Sequence, residues 1–190
     1  MRWFLVDRFT ELQSGERATA IKTVSLGEEQ LHDHFPGYPM MPSSLVIEGM
    51  ALTGGLLVSE YNDFEERVIL AKLARSRFHF HVLAGDTITY RATIQQIRQD
   101  GAMVTATSQV GDALQAEAEI FFVHLDGTVA GQSLFDPLDF LVWLKLWKVF
   151  EVGRKADGSR LKVPAKLAAA ALESYQQDVQ DGMPVEVDFG

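Results

Sequence analysis

Residues 31–57 read LHDHFPGYPMMPSSLVIEGMALTGGLL, and this stretch decides the fold. Its second half predicts a helix over residues 43–61. That helix is apolar on nearly all sides, which is typical of a helix buried in the interior of a protein. We therefore expect the rest of the chain to surround it.

The predicted helix contains one isolated charge, Glu48, in the middle of its apolar run. A buried carboxylate is costly unless it is paired, hydrogen-bonded or protonated. A capping box does not explain it, because Glu48 follows Ser43 by five residues and Ser44 by four, whereas the box requires three. Glu48 is therefore a candidate catalytic group, with a structural salt bridge as the alternative.

The loop before the helix is stiff and carries His34. Pro36, Pro39 and Pro42 each fix a φ angle, and Gly37 allows a conformation that other residues resist. Imidazole is the side chain best suited to both take up and release a proton near neutral pH. A loop histidine alone is more often incidental, but together with a carboxylate it is a candidate acid–base pair.

The start of the helix adds hydrogen-bond donors. The backbone N–H groups near Ser43 and Ser44 lack partners within the helix, and they lie at the positive end of its dipole. Such donors stabilise a carbonyl oxygen that gains negative charge. A base, an acid and these donors together indicate proton abstraction next to a carbonyl, coupled to loss of a β leaving group.

The flanking sequence predicts an α+β fold. Residues 4–26 read as two strands around a turn, and residues 68–125 read as four antiparallel strands. Asp100-Gly101 is a strong hairpin signal between two of these strands. Strands on both sides of one segregated helix are typical of an α+β domain.

The composition limits the classes of function. The net charge of −9 argues against general nucleic-acid binding, which depends on phosphate neutralisation. The chain has no cysteine, no signal-peptide pattern at its N-terminus and no apolar run of membrane-spanning length. These features favour a cytoplasmic protein without disulfides or thiolate metal sites.

Residues 127–190 are predicted to be a helical extension of a domain formed by residues 1–126. Asp136 is a possible helix cap, with Pro137 at the first helical position. The segment that follows places aromatic and leucine side chains near one helical stripe. We favour packing of this stripe against the main domain or a dimer partner over contact with a membrane surface. Its members are Phe140, Trp143, Leu144, Trp147 and Phe150.

The run HFPGYPMMPSSLVIEGMA, residues 34–51, resembles the signature of the 3-hydroxyacyl-[acyl carrier protein] dehydratases, the FabZ and FabA group. Four other segments resemble the family in the same order, so the similarity extends over about residues 3–125. These segments are FLVDR (4–8), AIKTVSLGE (20–28), ARSRFHFHVLAGD (74–86) and AEAEIFFV (116–123).

The resemblance implies a hotdog fold, in which an antiparallel sheet wraps around one long central helix. It also implies a dimer or a trimer of dimers, with the active site at the dimer interface. The substrate would be carried on the phosphopantetheine arm of an acyl carrier protein, and no further cofactor or metal is implied.

The resemblance also implies residue roles. His34 would abstract the Cα proton, and Glu48 of the opposite subunit would protonate the departing β-hydroxyl. The amide of Ser43 would polarise the thioester carbonyl, with Gly37 in the preceding loop and Ser44 beside it. The family usually has Gly-Val where this chain has Ser43-Ser44, and a glutamine where it has Leu52.

Two alternatives remain beside a dehydratase. A hotdog thioesterase would also use a carboxylate on the helix, although it has no need for the HFPG motif. A non-catalytic subunit that binds an acyl carrier protein would be consistent with the serine pair and Leu52.

A group of basic residues is a candidate landing site for an acidic acyl carrier protein, because opposite charges steer association. Scattered solvated charges are an equally good reading of the same residues. They are Lys72, Arg75, Arg77, Arg91 and Arg98.

His79 and His81 are two residues apart, which would place them on one face of a strand. A metal site requires further ligands that cannot be assigned from the sequence. No metal site is predicted.

Overall fold

The computed structural model describes residues 5–65, 67–125 and 136–180. The predicted order of two strands, one long helix and four strands is confirmed, and the predicted bounds of the long helix coincide with those found. The elements are β1 (Arg8–Gln13), β2 (Arg17–Thr23), α1 (Glu29–His32), α2 (Ser43–Tyr61), β3 (Arg67–Phe78), β4 (Thr87–Arg98), β5 (Gly101–Val110), β6 (Ala113–Leu125), α3 (Pro137–Leu146), α4 (Val149–Val152), β7 (Gly153–Arg154) and α5 (Ala165–Gln180).

The strands form one sheet in the order β3-β6-β5-β4-β2-β1-β7. The six long strands pair antiparallel, as predicted. β7 instead runs parallel to β1, with Gly153 opposite Leu12. The predicted antiparallel sheet is therefore confirmed for β1 to β6, and the C-terminal extension, predicted to be helical, adds a two-residue parallel strand at the β1 edge.

The long helix α2 lies against one face of the sheet and contacts every strand from β2 to β6. Apolar side chains from both elements form one buried cluster, which includes Met50, Leu57 and Ile120. This arrangement confirms the sheet-around-helix architecture that the family resemblance implies. Burial of the apolar helix is the main source of its stability, because helices of this length are marginal by themselves in water.

α2 approaches the sheet closely at Gly49. A Cβ atom at this position would lie 2.4 Å from Cζ of Tyr90, a fully buried side chain of β4. Glycine is therefore required there by the close contact of helix and strand.

The C-terminal extension packs on the sheet. The Asp136 carboxylate accepts hydrogen bonds from the amides of Leu138 and Asp139 at 2.9 and 3.0 Å, which confirms the predicted cap of α3. Partial burial acts to raise the pKa of Asp136, but hydrogen bonds from the Ser174 hydroxyl and from these amides outweigh it and lower that pKa below its usual range.

The helix predicted after Pro137 is broken in two. Lys148 has a left-handed φ of 62° and separates α3 from α4. Leu144 and Val149, on either side of the break, belong to the same buried cluster as the sheet, and the Trp147 carbonyl accepts a hydrogen bond of 2.8 Å from the Phe9 amide.

The predicted packing of the aromatic stripe is confirmed for Phe140, Trp147 and Phe150, which are partly buried against the cluster. The boundary proposed between residues 126 and 127 lies outside the described residues. Within the described ranges, no helix is both long enough and apolar enough to span a membrane.

The contact at Gly49 generates a stability prediction. Gly49→Val should lower the free energy of unfolding by about 2 kcal/mol or more, because the added methyl groups overlap the buried Tyr90 ring. Chemical denaturation followed by circular dichroism measures the change. Gly27→Ala is the control, since its Cβ would lie 3.6 Å from its nearest neighbour, Ser25 Oγ. Equal stability of Gly49→Val and the wild type would contradict the close contact.

Candidate active site

The loop that carries His34 is a tight, internally bonded turn. The Phe35 amide donates to the Tyr38 carbonyl at 3.1 Å, and the Tyr38 amide donates back to the Phe35 carbonyl at 2.9 Å. Gly37 has a φ of 80°, which L side chains rarely adopt, so the turn requires glycine there as the sequence indicated. His34 is joined to Phe35 by a cis peptide bond, and the two rings stack with centroids 4.4 Å apart.

The hydrogen bonding of the His34 ring assigns its tautomer. Nδ1 lies 3.1 Å from the Met40 carbonyl oxygen. A carbonyl oxygen only accepts hydrogen bonds, so Nδ1 carries the proton in the neutral ring and Nε2 carries the lone pair. The half-buried imidazole is therefore held as a base at Nε2.

The loop is attached to the segment that follows β3. The Met41 amide donates to the Val82 carbonyl at 2.8 Å, and Met40 forms an isolated β-bridge with Leu83. The backbone beside His34 therefore depends on residues that lie 41 and 43 positions further along the chain than their partners Met41 and Met40.

A buried glutamine, Gln115, anchors that segment in turn. Its amide nitrogen donates to the Phe80 carbonyl at 2.7 Å, and its amide oxygen accepts from the Ser108 hydroxyl. The pairing of β5 with β6 shifts at this point, so that Gln115 lies at a bulge in β6. A bulge redirects a side chain. Sequence analysis missed Gln115, because its strand reads as ordinary alternation.

Glu48 lies on the open side of α2. Ser44 and Glu48 are exposed, and Leu52 and Gly55 are partly buried. These positions are three or four residues apart, which places them in one stripe along the helix. The expectation that Glu48 is buried is wrong for the single chain, because the sheet covers the other sides of α2 and leaves this stripe uncovered.

A cavity of about 1120 Å³ runs beside the stripe and is lined by Glu48, Leu52 and Gly55. Within residues 5–65, 67–125 and 136–180, its lining does not include His34. The single chain therefore does not bring the two candidate catalytic groups together in this cavity.

The start of α2 has the donors that the sequence predicted. The amides of Leu45 and Val46 donate to the Pro42 carbonyl at 3.0 and 3.2 Å, and these are the first bonds of the helix. The amides of Ser43 and Ser44 precede them and lie outside the helical hydrogen-bond ladder. Both serines are exposed, so these amides lie at an accessible helix end.

Comparison with known proteins identifies the family. The sequence model of the FabA-like domain matches residues 2–119. The chain belongs to this family of 3-hydroxyacyl-[acyl carrier protein] dehydratases.

Individual relatives agree with this assignment. The chain is 37% identical over 121 residues to a 3-hydroxyacyl-[acyl-carrier-protein] dehydratase FabZ of Desulforamulus reducens, covering 63% of this chain and 85% of the relative. It is 36% identical over 121 residues to the FabZ of Pelotomaculum thermopropionicum, and the alignment covers 63% of this chain and 86% of that relative. The fold is similar to that of the conserved protein PA5202 from Pseudomonas aeruginosa, with a TM-score of 0.52 and 19% sequence identity. The superposition covers 62% of this chain and 87% of PA5202.

The basic residues proposed as a carrier landing site do not form one uninterrupted positive surface. Arg75 forms an ion pair with Glu119 at 2.9 Å, and Arg77 lies 4.0 Å from Glu117. These arginines and Lys72 are on β3, whereas Arg91 and Arg98 are on β4, which is separated from β3 by the two strands β6 and β5.

The two later histidines lie beyond the strand in which they were expected. β3 ends at Phe78, so His79 and His81 follow it, and His79 Nε2 lies 3.7 Å from Glu117. In the part of the chain that the structure describes, no group of three or more metal-binding side chains occurs.

The anchoring of the His34 loop generates a prediction about its dynamics. Gln115→Leu should accelerate hydrogen exchange at the Met41 amide by about tenfold or more, because the Phe80 carbonyl loses a buried hydrogen bond of about 1–2 kcal/mol. The amide of Ile21, in the β1–β2 hairpin, is the internal control and should keep its rate. Equal acceleration at both amides would indicate global destabilisation and contradict the local role.

Proposed function

We propose that this protein dehydrates 3-hydroxyacyl thioesters to trans-2-enoyl thioesters. The observation that carries the proposal is the presence in one chain of a histidine whose Nε2 is free to accept a proton and of a carboxylate on the open stripe of the central helix. Both lie within the segment matched by the FabA-like domain. The names of the FabZ relatives support an acyl carrier protein as the carrier of the substrate and acyl-chain synthesis as the setting.

The proposed reaction balances its protons within the site. His34 Nε2 takes the proton from Cα, and the negative charge that moves to the thioester oxygen is stabilised by the Ser43 amide. Glu48, in its protonated form, gives its proton to the β-hydroxyl, which leaves as water. The proton on His34 then returns to Glu48, and the site needs no redox cofactor or metal for this chemistry.

The proposed site is formed by two chains. In the described part of the chain, β3 pairs with β6 on one side and has no strand on the other, so twelve residues of edge are open to pairing. An exposed strand of this length is a template for pairing with another chain. A second copy in a symmetric dimer would cover the open stripe and bring its His34 to Glu48. We propose a dimer, or a trimer of dimers, on this basis.

The carrier protein is proposed to dock on the outer face of the sheet near β3 and β4. Lys72, Arg75, Arg77, Arg91 and Arg98 are exposed there. Glu117 and Glu119 lie between the two groups of arginines, so the attraction for an acidic carrier would be divided over two patches.

We also propose that residues 1–126 form the catalytic domain, residues 127–190 its extension, and that the protein acts in the cytoplasm. The shared buried cluster supports an extension that docks on the domain rather than a separate unit. The lack of cysteine suits a reducing compartment.

The departures from the family favour two rival functions. Ser43 adds a β-carbon where the family has glycine, Ser44 replaces an apolar valine with a hydroxyl, and Leu52 places an apolar side chain one turn after Glu48. A thioesterase would retain a use for Glu48 alone. A carrier-binding subunit would need neither catalytic group.

A hydration assay separates these functions. Crotonyl-pantetheine is added, and the loss of enoyl absorbance is followed together with thiol release. His34→Ala and Glu48→Ala should each lower kcat/KM for hydration by about a hundredfold or more, because each removes a proton-transfer group. His32→Ala is the matched control, an exposed histidine two residues from His34, and should keep full activity.

Other outcomes would contradict the proposal. Thiol release without hydration would indicate a thioesterase. Binding of an acyl carrier protein with neither reaction would indicate a non-catalytic subunit.

A further inference from the structure

The C-terminal extension forms part of the cavity beside Glu48. The FabA-like match ends at residue 119, so α3 and α5 lie outside the segment shared with the family. Nevertheless, Phe140 and Trp143 of α3, Trp147 just after it and Leu167 of α5 line the same cavity as Glu48. An element outside the shared domain therefore supplies one wall of the proposed active-site cavity.

This wall is held in place by contacts with the main domain. The Phe140 and Phe150 rings pack edge-on against Phe64, with centroids 5.9 and 6.1 Å apart. Trp143 and Trp147 pack together at 5.5 Å. The Lys166 ammonium of α5 lies 2.8 Å from the Glu65 carboxylate, close after the end of α2. The aromatic surface is therefore fixed relative to α2.

The chemistry of the cavity suits a hydrocarbon chain. Beyond Glu48, α2 contributes the apolar residues Ala51, Leu52, Gly55 and Leu56 to the lining, and one polar side chain, the buried Ser59, near its C-terminal end. Charged side chains also border the cavity, but they belong to the loop after α2 and to the starts of the extension helices: Asp63, Glu65, Asp136, Asp139 and Lys166. An apolar passage that begins at a catalytic carboxylate is suited to the acyl tail of a thioester.

We propose that the extension selects the length of the acyl chain and that Trp143 forms the limiting wall. This inference rests on the proposed dehydratase function, because the thioester at Glu48 determines where the acyl tail begins. Trp143 acts on specificity and not on the proton transfers. A chain that reaches the indole gains apolar contact, and a longer chain is excluded by it.

Kinetic measurement across a series of trans-2-enoyl-pantetheine thioesters, from crotonyl to hexadecenoyl, tests the inference. Trp143→Ala should raise kcat/KM by about tenfold or more for acyl chains longer than the wild-type optimum. It should change kcat/KM for crotonyl-pantetheine by less than about twofold. Ala170→Phe, which adds volume to the same cavity from α5, should move the optimum to shorter chains. Leu146→Ala is the matched control, because Leu146 is on α3 but is 58% exposed.

Several results would overturn the inference. One is a change in kcat/KM that is equal at every acyl chain length. Another is an unchanged length profile in both Trp143→Ala and Ala170→Phe. A third is an unchanged length profile together with a weaker dimer for Trp143→Ala by analytical ultracentrifugation, which would mean that a second copy of the chain fills this part of the cavity.

A binding measurement keeps the inference separate from the proposed reaction. Decanoyl-pantetheine brominated at its terminal carbon should quench tryptophan fluorescence of the wild type, and at least half of this quenching should be lost in Trp143→Phe. This result is expected even if no thioester is hydrated. Quenching that is unchanged by Trp143→Phe, or an absence of quenching, would refute acyl binding at this wall.

Discussion

The burial of the apolar helix α2 is the constraint on which the rest of the structure depends. The sheet covers most of the helix, and the contact between Gly49 and Tyr90 shows how closely the two approach. One stripe is left over, and it contains Glu48. The cavity beside this stripe is also lined by the C-terminal extension, and it is here that we propose the substrate and a second subunit to bind.

The second candidate group reaches its position through a different set of contacts. His34 is held by its own carbonyl partner, Met40, and the loop is held by Val82. Gln115 then secures the segment next to Val82 from within the sheet. His34 is thus supported by backbone hydrogen bonds of its loop, whereas Glu48 is positioned by the packing of its helix. The two supports are independent within one chain, which is consistent with a site completed between two chains.

The elements that follow from periodicity and turn chemistry were predictable, including both ends of α2 and the hairpin between β4 and β5. The turn of that hairpin is Gln99-Asp100, one residue before the predicted Asp100-Gly101. Features that depend on tertiary contacts were not. The bulge at Gln115 interrupts no pattern in the sequence, and the break at Lys148 has no glycine or proline to mark it. The exposure of Glu48 was also missed, because the apolar pattern of a helix does not show which of its sides the sheet leaves uncovered.

The departures at Ser43, Ser44 and Leu52 lie on or next to the open stripe rather than in the core. They leave the fold intact and alter the surface that a substrate would meet. The extension alters the same surface from the opposite side, through its aromatic wall. Leu52 and the extension therefore both line the cavity beside Glu48, which is where a change in substrate preference is expected.

The central claim is that His34 of one chain acts with Glu48 of another. Co-expression of His34→Ala and Glu48→Ala chains with different affinity tags, followed by tandem purification, isolates the mixed dimer. Each mixed dimer retains one intact site of two, so the account predicts about half of the wild-type kcat for crotonyl-pantetheine hydration, while both parent variants stay inactive. A mixed dimer as inactive as its parents would contradict a site shared between chains.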